Sequence, residues 1–172
     1  MSFNCPKFIE EFKNYVDKLE AKTILEVGAK SGELMDAVGG AGIDINPMRD
    51  DVKKCDIRKY RGKKHELAFS SGMIEHYTKE DAIKVLKAIA KASSKYVLTY
   101  VPNSNCKAYM NAKTKTKAEW GNELDYTAET LAGLHEEIGL TVVDSGVAGT
   151  EWAKRFGAEP SEGYLVYCLA KK

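Results

Sequence analysis

The fold of this chain is decided by the stretch Thr23-Ile24-Leu25-Glu26-Val27-Gly28-Ala29-Lys30-Ser31-Gly32-Glu33-Leu34. An apolar run that ends near an acidic residue and passes into a glycine-containing turn predicts a buried strand followed by the start of a helix. A second apolar stretch, Gly42-Ile43-Asp44-Ile45-Asn46, follows and also carries a carboxylate near its end. Two such strands predict a nucleotide-type ligand held across the carboxyl ends of a parallel pair.

The turn in this stretch does not suit a dinucleotide. A pyrophosphate binds at a helix N-terminus through the fingerprint Gly-x-Gly-x-x-Gly, but only Gly28 is kept here, and Lys30 and Glu33 occupy the other two positions. Glu33 lies in the predicted first helical turn, where it would repel a diphosphate. S-adenosylmethionine (SAM) has a ribose diol, a carboxylate, an ammonium and a sulfonium but no phosphate, so it avoids that repulsion. We expect such a ligand to use the backbone amides of the turn and to hydrogen-bond through its diol to Asp44.

The run Glu26-Val27-Gly28-Ala29-Lys30-Ser31-Gly32 resembles the first motif of the class I SAM-dependent methyltransferases, in particular of their small-molecule branch. That motif reads acidic-x-Gly-x-Gly-x-Gly, and Lys30 stands at the middle glycine, where a positive φ would strain a lysine. The resemblance implies that Glu26 orients the aminoacyl end of SAM and that Asp44 holds the ribose. Their separation suits the roughly 20-residue spacing of a strand–helix–strand unit.

Three later stretches also resemble this family. Lys54-Cys55-Asp56-Ile57 is similar to the motif that meets adenine, which implies contacts from the Asp56 carboxylate and the Ile57 amide. Residues 65–76 resemble the fourth strand and its loop, with the Ser70–Gly72 turn near the sulfonium, and residues 96–103 resemble the fifth strand. The resemblance implies the cofactor-binding set Glu26, Gly28, Ala29, Lys30, Gly32, Asp44, Ile45, Asn46, Asp56, Ile57, Ser70, Ser71 and Gly72. The implied product is S-adenosylhomocysteine (SAH).

The pair Glu75-His76 follows the predicted fourth strand, where methyl group and acceptor would meet in this family. His76 is the candidate general base, because an imidazole titrates near neutral pH; the alternative is a residue that only lines the pocket. The Asn/Asp-Pro-Pro-aromatic signature of amide methylation and the Pro-Cys nucleophile of pyrimidine methylation are both replaced by Ser70-Ser71-Gly72-Met73. We therefore expect methyl transfer to an oxygen or nitrogen of a small or medium-sized acceptor, mainly by alignment of the reactants.

Residues 103–126 stand where the family places a substrate-covering segment. Tyr109 and Trp120 are candidates for lining the acceptor pocket. The lysines at 113, 115 and 117 alternate near these aromatics, a pattern typical of contact with an anionic substrate or RNA, although a solvated segment is the simpler interpretation. Two other functions stay open: a non-catalytic SAM-binding or regulatory protein, and a methyltransferase that acts on RNA or protein.

The composition is that of an ordinary globular chain. With 172 residues we expect a single domain, in which residues 1–22 form an N-terminal helix. The net charge of +1 provides no bulk attraction to nucleic acid, which is not an expected partner. The four scattered cysteines have no metal-like spacing, so we expect reduced thiols, no metal site and a cytoplasmic location. No apolar run approaches the roughly 20 residues that span a bilayer.

The complete pattern predicts a Rossmann-like α/β domain: a mostly parallel sheet with helices on both faces and a C-terminal antiparallel strand pair. Periodicity predicts helices over 79–92 and from Thr127, and strands over 140–147 and 163–169. Only residues 46–53 separate the second strand from the third, whereas a parallel crossover usually needs a dozen or more. The second crossover helix is therefore expected to be missing and the third strand vestigial.

Overall fold

The sheet of this protein has seven strands in the order β3-β2-β1-β4-β5-β7-β6. The structure is a computed structural model that describes residues 5–115, 122–154 and 162–172. Six strands run in the same direction, and β7 is inserted antiparallel to both β5 and β6. The strands are β1 (Ile24–Val27), β2 (Ala41–Asp44), β3 (Lys53–Lys54), β4 (His65–Ser71), β5 (Ser93–Pro102), β6 (Thr141–Ala148) and β7 (Leu165–Lys171). This arrangement confirms the predicted α/β fold, including the antiparallel pair β6–β7.

Helices cover both faces of the sheet, because successive strand residues point to opposite sides. Leu67 and Phe69 of β4 join one apolar cluster with the helix Pro6–Asp17. Ala68, on the opposite face, joins another cluster with the helices Lys79–Ala92 and Ala128–Glu137. Two 3-10 turns, Ile57–Lys59 and Ile74–His76, follow β3 and β4. The helices are α1 (Pro6–Asp17), α2 (Glu33–Val38), α3 (Lys79–Ala92), α4 (Lys107–Lys115), α5 (Ala128–Glu137) and α6 (Thr150–Ala153).

The helix starts follow the local sequence. The Thr78 hydroxyl accepts the Asp81 N–H at the start of α3, and Thr127 forms a reciprocal capping box with Thr130 at the start of α5. Gly139, with φ +85°, lies just beyond the end of α5. The predicted positions of these two helices are therefore confirmed.

The second crossover is reduced to turns, as predicted, and β3 has only two residues. Side-chain and backbone bonds tie this short connection to the rest of the molecule. The Arg49 guanidinium pairs with Asp36 of α2 and with Asp51, and the Met48 N–H donates to the Lys30 carbonyl at 2.9 Å. The connection is therefore closed against α2 and the turn after β1 without a helix of its own.

Candidate cofactor and acceptor site

A cavity of about 450 Å³ lies at the carboxyl ends of β1, β2 and β4. Two segments form much of its wall, and we call them the β1 end (residues 26–32) and the β4 end (residues 70–76). The cavity is lined by Glu26, Val27, Gly28, Ala29, Lys30, Ser31, Asp44, Ile45, Asn46, Cys55, Asp56, Ile57, Ser71, Gly72, Met73, His76 and Tyr77. This is the edge of an α/β sheet at which ligands bind.

The β1 end turns sharply because three of its residues have positive φ. Gly28 and Gly32 adopt φ +82° and +74°, which glycine accepts readily, and Lys30 adopts φ +41°. The sequence-based concern about Lys30 is thus justified: a residue with a Cβ stands where the conformation costs roughly 1–2 kcal/mol. The turn is nevertheless held in this conformation by hydrogen bonds from its backbone amides.

Several backbone amides of the β1 end are already hydrogen-bonded within the protein. Gly28 and Ala29 both donate to the Ile43 carbonyl, at 2.9 and 3.1 Å, and Lys30 donates to the Asp44 carboxylate at 3.0 Å. The Gly32 amide donates to Ala29 at 2.6 Å. Four amides of the turn therefore already have protein acceptors, and the use of the turn's amides by a ligand stays a prediction. No local pattern indicated that β2 would accept three of these hydrogen bonds.

Glu26 is a buried carboxylate at the cavity wall. One of its oxygens accepts the Met35 N–H of α2 at 2.8 Å. Burial raises the pKa of this carboxyl to about 8, the Met35 bond lowers it in part, and the nearby acids Glu33, Asp36 and Asp44 raise it further. A buried carboxylate of this kind favours a cationic ligand group, because the cation would stabilise the ionised form.

Asp44, the last residue of β2, connects the β1 end to the loop that follows β2. Its carboxylate accepts the Lys30 N–H and the Asn46 N–H, the latter at 2.6 Å. Each carboxylate oxygen can accept more than one hydrogen bond, so capacity for a diol remains. Asp44 also lines the cavity, so it is accessible to a ligand there, and its binding of the ribose stays a prediction.

The predicted adenine end combines apolar and charged groups. Ile57 is buried at the cavity wall, and Ile45 is 59% exposed there. The Asp56 carboxylate accepts from the backbone N–H and guanidinium of Arg58, which holds the pKa of Asp56 below its usual range. Asp56 therefore lines the cavity but is already paired with a cation.

The β4 end carries buried polar groups without partners. The Ser70 and Ser71 hydroxyls have no hydrogen-bond partner within the described structure, although the Gly72 N–H donates to the Tyr100 carbonyl at 3.0 Å. The Met73 side chain packs over Gly28, whose added Cβ would lie 2.9 Å from the Met73 Sδ. The two ends therefore touch across the cavity.

His76 lies at the cavity between two carboxylates. Its side chain is 51% exposed; Nε2 lies 3.8 Å from Glu75 Oε1, and Nδ1 lies 3.7 Å from Glu123 Oε1. The Glu75 carboxylate is fully buried with no hydrogen-bond partner in the described structure. Burial raises the pKa of Glu75 to about 8, and the Glu123 carboxylate raises it as well. The sequence analysis noted Glu75 but assigned it no role, and it missed Glu123 because no local pattern marks that residue.

The segment 103–126 supplies part of this cluster. Tyr109 is buried outside the cavity lining, and its hydroxyl donates to Glu123. Lys113 is also buried, and it donates to the Glu123 carbonyl and the Asp125 carboxylate, each at 2.7 Å. For Lys113, both the favoured prediction of a solvated side chain and the alternative of an anionic partner are therefore wrong. Lys117 and Trp120 lie outside the described residues.

Most of the predicted cofactor-binding residues meet at one cavity. Gly32 and Ser70 do not line it: Gly32 precedes α2 as its N-cap residue, and the Ser70 side chain is buried within β4. The sequence analysis did not select five of the lining residues. These are Val27, Ser31, Cys55, Met73 and Tyr77. Each of them lies next to a selected residue in the chain, and that adjacency was the available signal.

No protein family model matches the chain, and no curated protein matches it in sequence. Solved structures match it well in shape. Magnesium protoporphyrin IX methyltransferase from Synechocystis, solved with bound SAH, has a TM-score of 0.71 at 12% identity over 96% of this chain and 82% of its own. A SAM-dependent methyltransferase from Clostridium acetobutylicum scores 0.68 at 9% identity, covering 99% and 92%.

A third similar structure is an O-methyltransferase family protein from Burkholderia thailandensis. It has a TM-score of 0.72 at 12% identity over 96% of this chain, which spans 55% of that protein. These likenesses, together with the strand order and the inserted antiparallel β7, show that the chain has the class I SAM-dependent methyltransferase fold. Among the described residues, no helix is long and apolar enough to cross a membrane.

Proposed function

We propose that the protein binds SAM in the cavity and transfers its methyl group to an oxygen or nitrogen of a small or medium-sized acceptor. The observation that carries this proposal is the placement of Glu26 and Asp44 on one cavity at the ends of two adjacent parallel strands. The bound SAH of the Synechocystis enzyme supports the same ligand class for this fold.

The cavity offers a partner for each end of SAM. Asp44 accepts hydrogen bonds from the ribose diol, and Glu26 attracts the ammonium of the aminoacyl end, directly or through water. The side chains of Ile45 and Ile57 cover the faces of the adenine ring. The exposure of Ile45 is then explained, because a large apolar side chain at a cavity rim becomes buried when a flat ring binds.

Methyl transfer needs little covalent help from the protein. The sulfonium–methyl bond breaks as the bond from the acceptor oxygen or nitrogen to the methyl group forms, and SAH leaves. The acceptor gives up one proton, either to the half-exposed His76 or to solvent. The main contribution of the site is to hold the acceptor in line with the sulfonium, and in this proposal the segment 103–126 covers it.

Calorimetric titration with SAM and SAH tests this proposal. Wild-type protein should bind both with micromolar affinity, and Asp44→Ala should reduce the affinity at least 100-fold, about 2.7 kcal/mol. Asp50→Ala is the matched control, because Asp50 is an exposed acid in the same connection that does not line the cavity. A folded wild-type protein that binds neither compound would contradict the proposal.

The alternative is a protein that keeps the fold and binds SAM without turnover. The strained Lys30 and the occupied amides of the β1 end favour it. Binding that is lost in Asp44→Ala, without methyl transfer to any tested hydroxyl or amine acceptor, would support this alternative.

A further inference from the structure

Glu75, His76 and Glu123 form a compact cluster beside the cavity. Each contributes one potential ligand atom, and these three atoms lie within 4.8 Å of one another. The Leu124 N–H donates to the Glu75 carbonyl at 2.7 Å, which holds the stretch around Glu123 against the β4 end. The cluster is therefore built by two distant parts of the chain that are tied together through the backbone.

The buried carboxylates of this cluster lack the partners that such groups need. Glu75 is 0% exposed, and neither of its carboxylate oxygens has a hydrogen-bond donor among the described residues. Glu123 Oε1 is buried without a donor as well, although Oε2 accepts the Tyr109 hydroxyl. Buried carboxylates are costly unless they are paired, hydrogen-bonded or bound to a metal ion.

The nearby cation does not satisfy them. Lys113 donates to the Glu123 backbone carbonyl and to Asp125 instead of to either buried carboxylate. The orphaned oxygens point at the imidazole at 3.7 and 3.8 Å, too far for hydrogen bonds.

We propose that Glu75, His76 and Glu123 bind a divalent transition-metal ion, Zn²⁺ or Mn²⁺. Two carboxylates and one imidazole are ligands that both ions accept, whereas Mg²⁺ prefers oxygen ligands and water. Neighbouring ligands around such an ion are about 3–3.5 Å apart, given bond lengths near 2.0–2.2 Å. Binding thus requires the widest of the three separations to contract by roughly 1 Å.

The position of the ion beside the cavity suggests its use. Three protein ligands leave at least one coordination position open, and His76 lines the cavity. An oxygen of the methyl acceptor would take that position. This use rests on the proposed methyl transfer, whereas the ion site does not. With the ion bound, His76 is a ligand and the proton lost by the acceptor passes to solvent.

Equilibrium dialysis against Zn²⁺ or Mn²⁺ tests the site, with protein that was first treated with a chelator and kept free of SAM. Wild-type protein should bind one ion per chain with a dissociation constant below about 10 μM, or about −7 kcal/mol. Glu75→Gln, Glu123→Gln and His76→Ala should each reduce the affinity at least tenfold. Glu136→Gln, at an exposed acid of α5, is the matched control and should bind as wild type does.

Each other outcome overturns the proposal. No ion bound at 100 μM by the folded wild type, or equal affinity in the folded variants, would show that the cluster is not the site. If Glu75→Gln does not fold, His76→Ala decides, because that side chain is half-exposed and its loss leaves the core intact. SAM titration in the presence of chelator separates the two proposals: SAM binding without any metal binding overturns the ion site alone, and metal binding without SAM binding overturns the cofactor alone.

Discussion

The β1 end and the β4 end lie side by side at one edge of the sheet, but they satisfy their polar groups differently. In the β1 end, four amides and the Glu26 carboxylate all bond to protein groups. In the β4 end, the Ser71 hydroxyl and both Glu75 carboxylate oxygens are buried without partners among the described residues. The polar groups named in the first segment are therefore satisfied by the protein itself, whereas those named in the second are not.

This difference indicates that the two segments bind different ligands. A complete, hydrogen-bonded turn offers a fixed shape, which suits a cofactor that is bound the same way in every cycle. Buried groups without partners instead indicate a missing component, because such groups are rare unless a ligand, ion or water satisfies them. In our proposals, the cofactor therefore binds at the β1 end, and the acceptor and the ion bind at the β4 end.

Within the two ends, the largest loss of SAM affinity is expected from Gly28→Ala, which disturbs the contact between them. The alanine must adopt φ +82°, and its Cβ would lie 2.9 Å from the Met73 Sδ, so Met73 would move within the cavity. SAM affinity should fall at least tenfold, and the free energy of unfolding should fall by about 1–2 kcal/mol from backbone strain. Calorimetry and denaturant unfolding measure the two effects.

Gly39→Ala is the control for that comparison. Gly39 also has positive φ, +68°, but a Cβ there would meet nothing within 4 Å. The free energy of unfolding of Gly39→Ala should fall by a similar amount, and its SAM affinity should equal that of the wild type. Equal losses of affinity in the two variants would show that strain, and not the shape of the β1 end, controls binding.

A second prediction concerns the pH dependence of stability. The pKa of Glu26 is about 8 in the folded protein against an ordinary 4.5, so between these values the folded state holds a proton that the unfolded state has released. The free energy of unfolding should therefore fall as pH rises from about 5 to 8, by up to about 1.4 kcal/mol per pH unit for one proton. In Glu26→Gln the free energy of unfolding, measured with urea at a series of pH values, should fall less steeply as pH rises.

Glu136→Gln is the matched control, since this exposed acid of α5 lies away from the cavity. It should show the wild-type slope. A Glu26→Gln slope identical to the wild-type slope would contradict the assignment of a buried, proton-binding carboxyl to the β1 end.

The smallest effect is expected from relief of strain at Lys30. Lys30→Gly removes the Cβ from φ +41° and keeps the amide that bonds to Asp44. It should be more stable than Lys30→Ala by about 1 kcal/mol, and both variants should bind SAM within threefold of wild type because the lysine side chain is exposed. Thermal unfolding measures the difference, and a less stable glycine variant would show that the lysine conformation is not strained.

Local patterns in the sequence were sufficient for the fold and for much of the β1 end. The apolar run 23–27 depends on neighbouring residues, so its periodicity predicted β1, and the motif pointed to a strained positive φ at Lys30. The spacing to Asp44 likewise follows from one strand–helix–strand unit. The vestigial β3 was predicted because chain length alone forbids a crossover helix there.

Contacts between distant parts of the chain could not be predicted in this way. Glu123 reaches His76 only because residues 122–126 return to the end of β5, where Asn103 bridges Tyr126. The burial of Lys113 depends on the same return, and no spacing in the sequence encodes it. The donation of the Gly28 amide to β2 is also set by strand pairing, which sequence periodicity does not report.

A crystal structure of the protein grown with SAH tests the central assignment most directly. The account predicts that the ribose hydroxyls lie within 3.2 Å of the Asp44 carboxylate, that the aminoacyl end lies against Gly28 and Glu26, and that the sulfur faces His76. SAH bound elsewhere, or bound here with its ribose away from Asp44, would contradict the assignment of the cofactor to the β1 end.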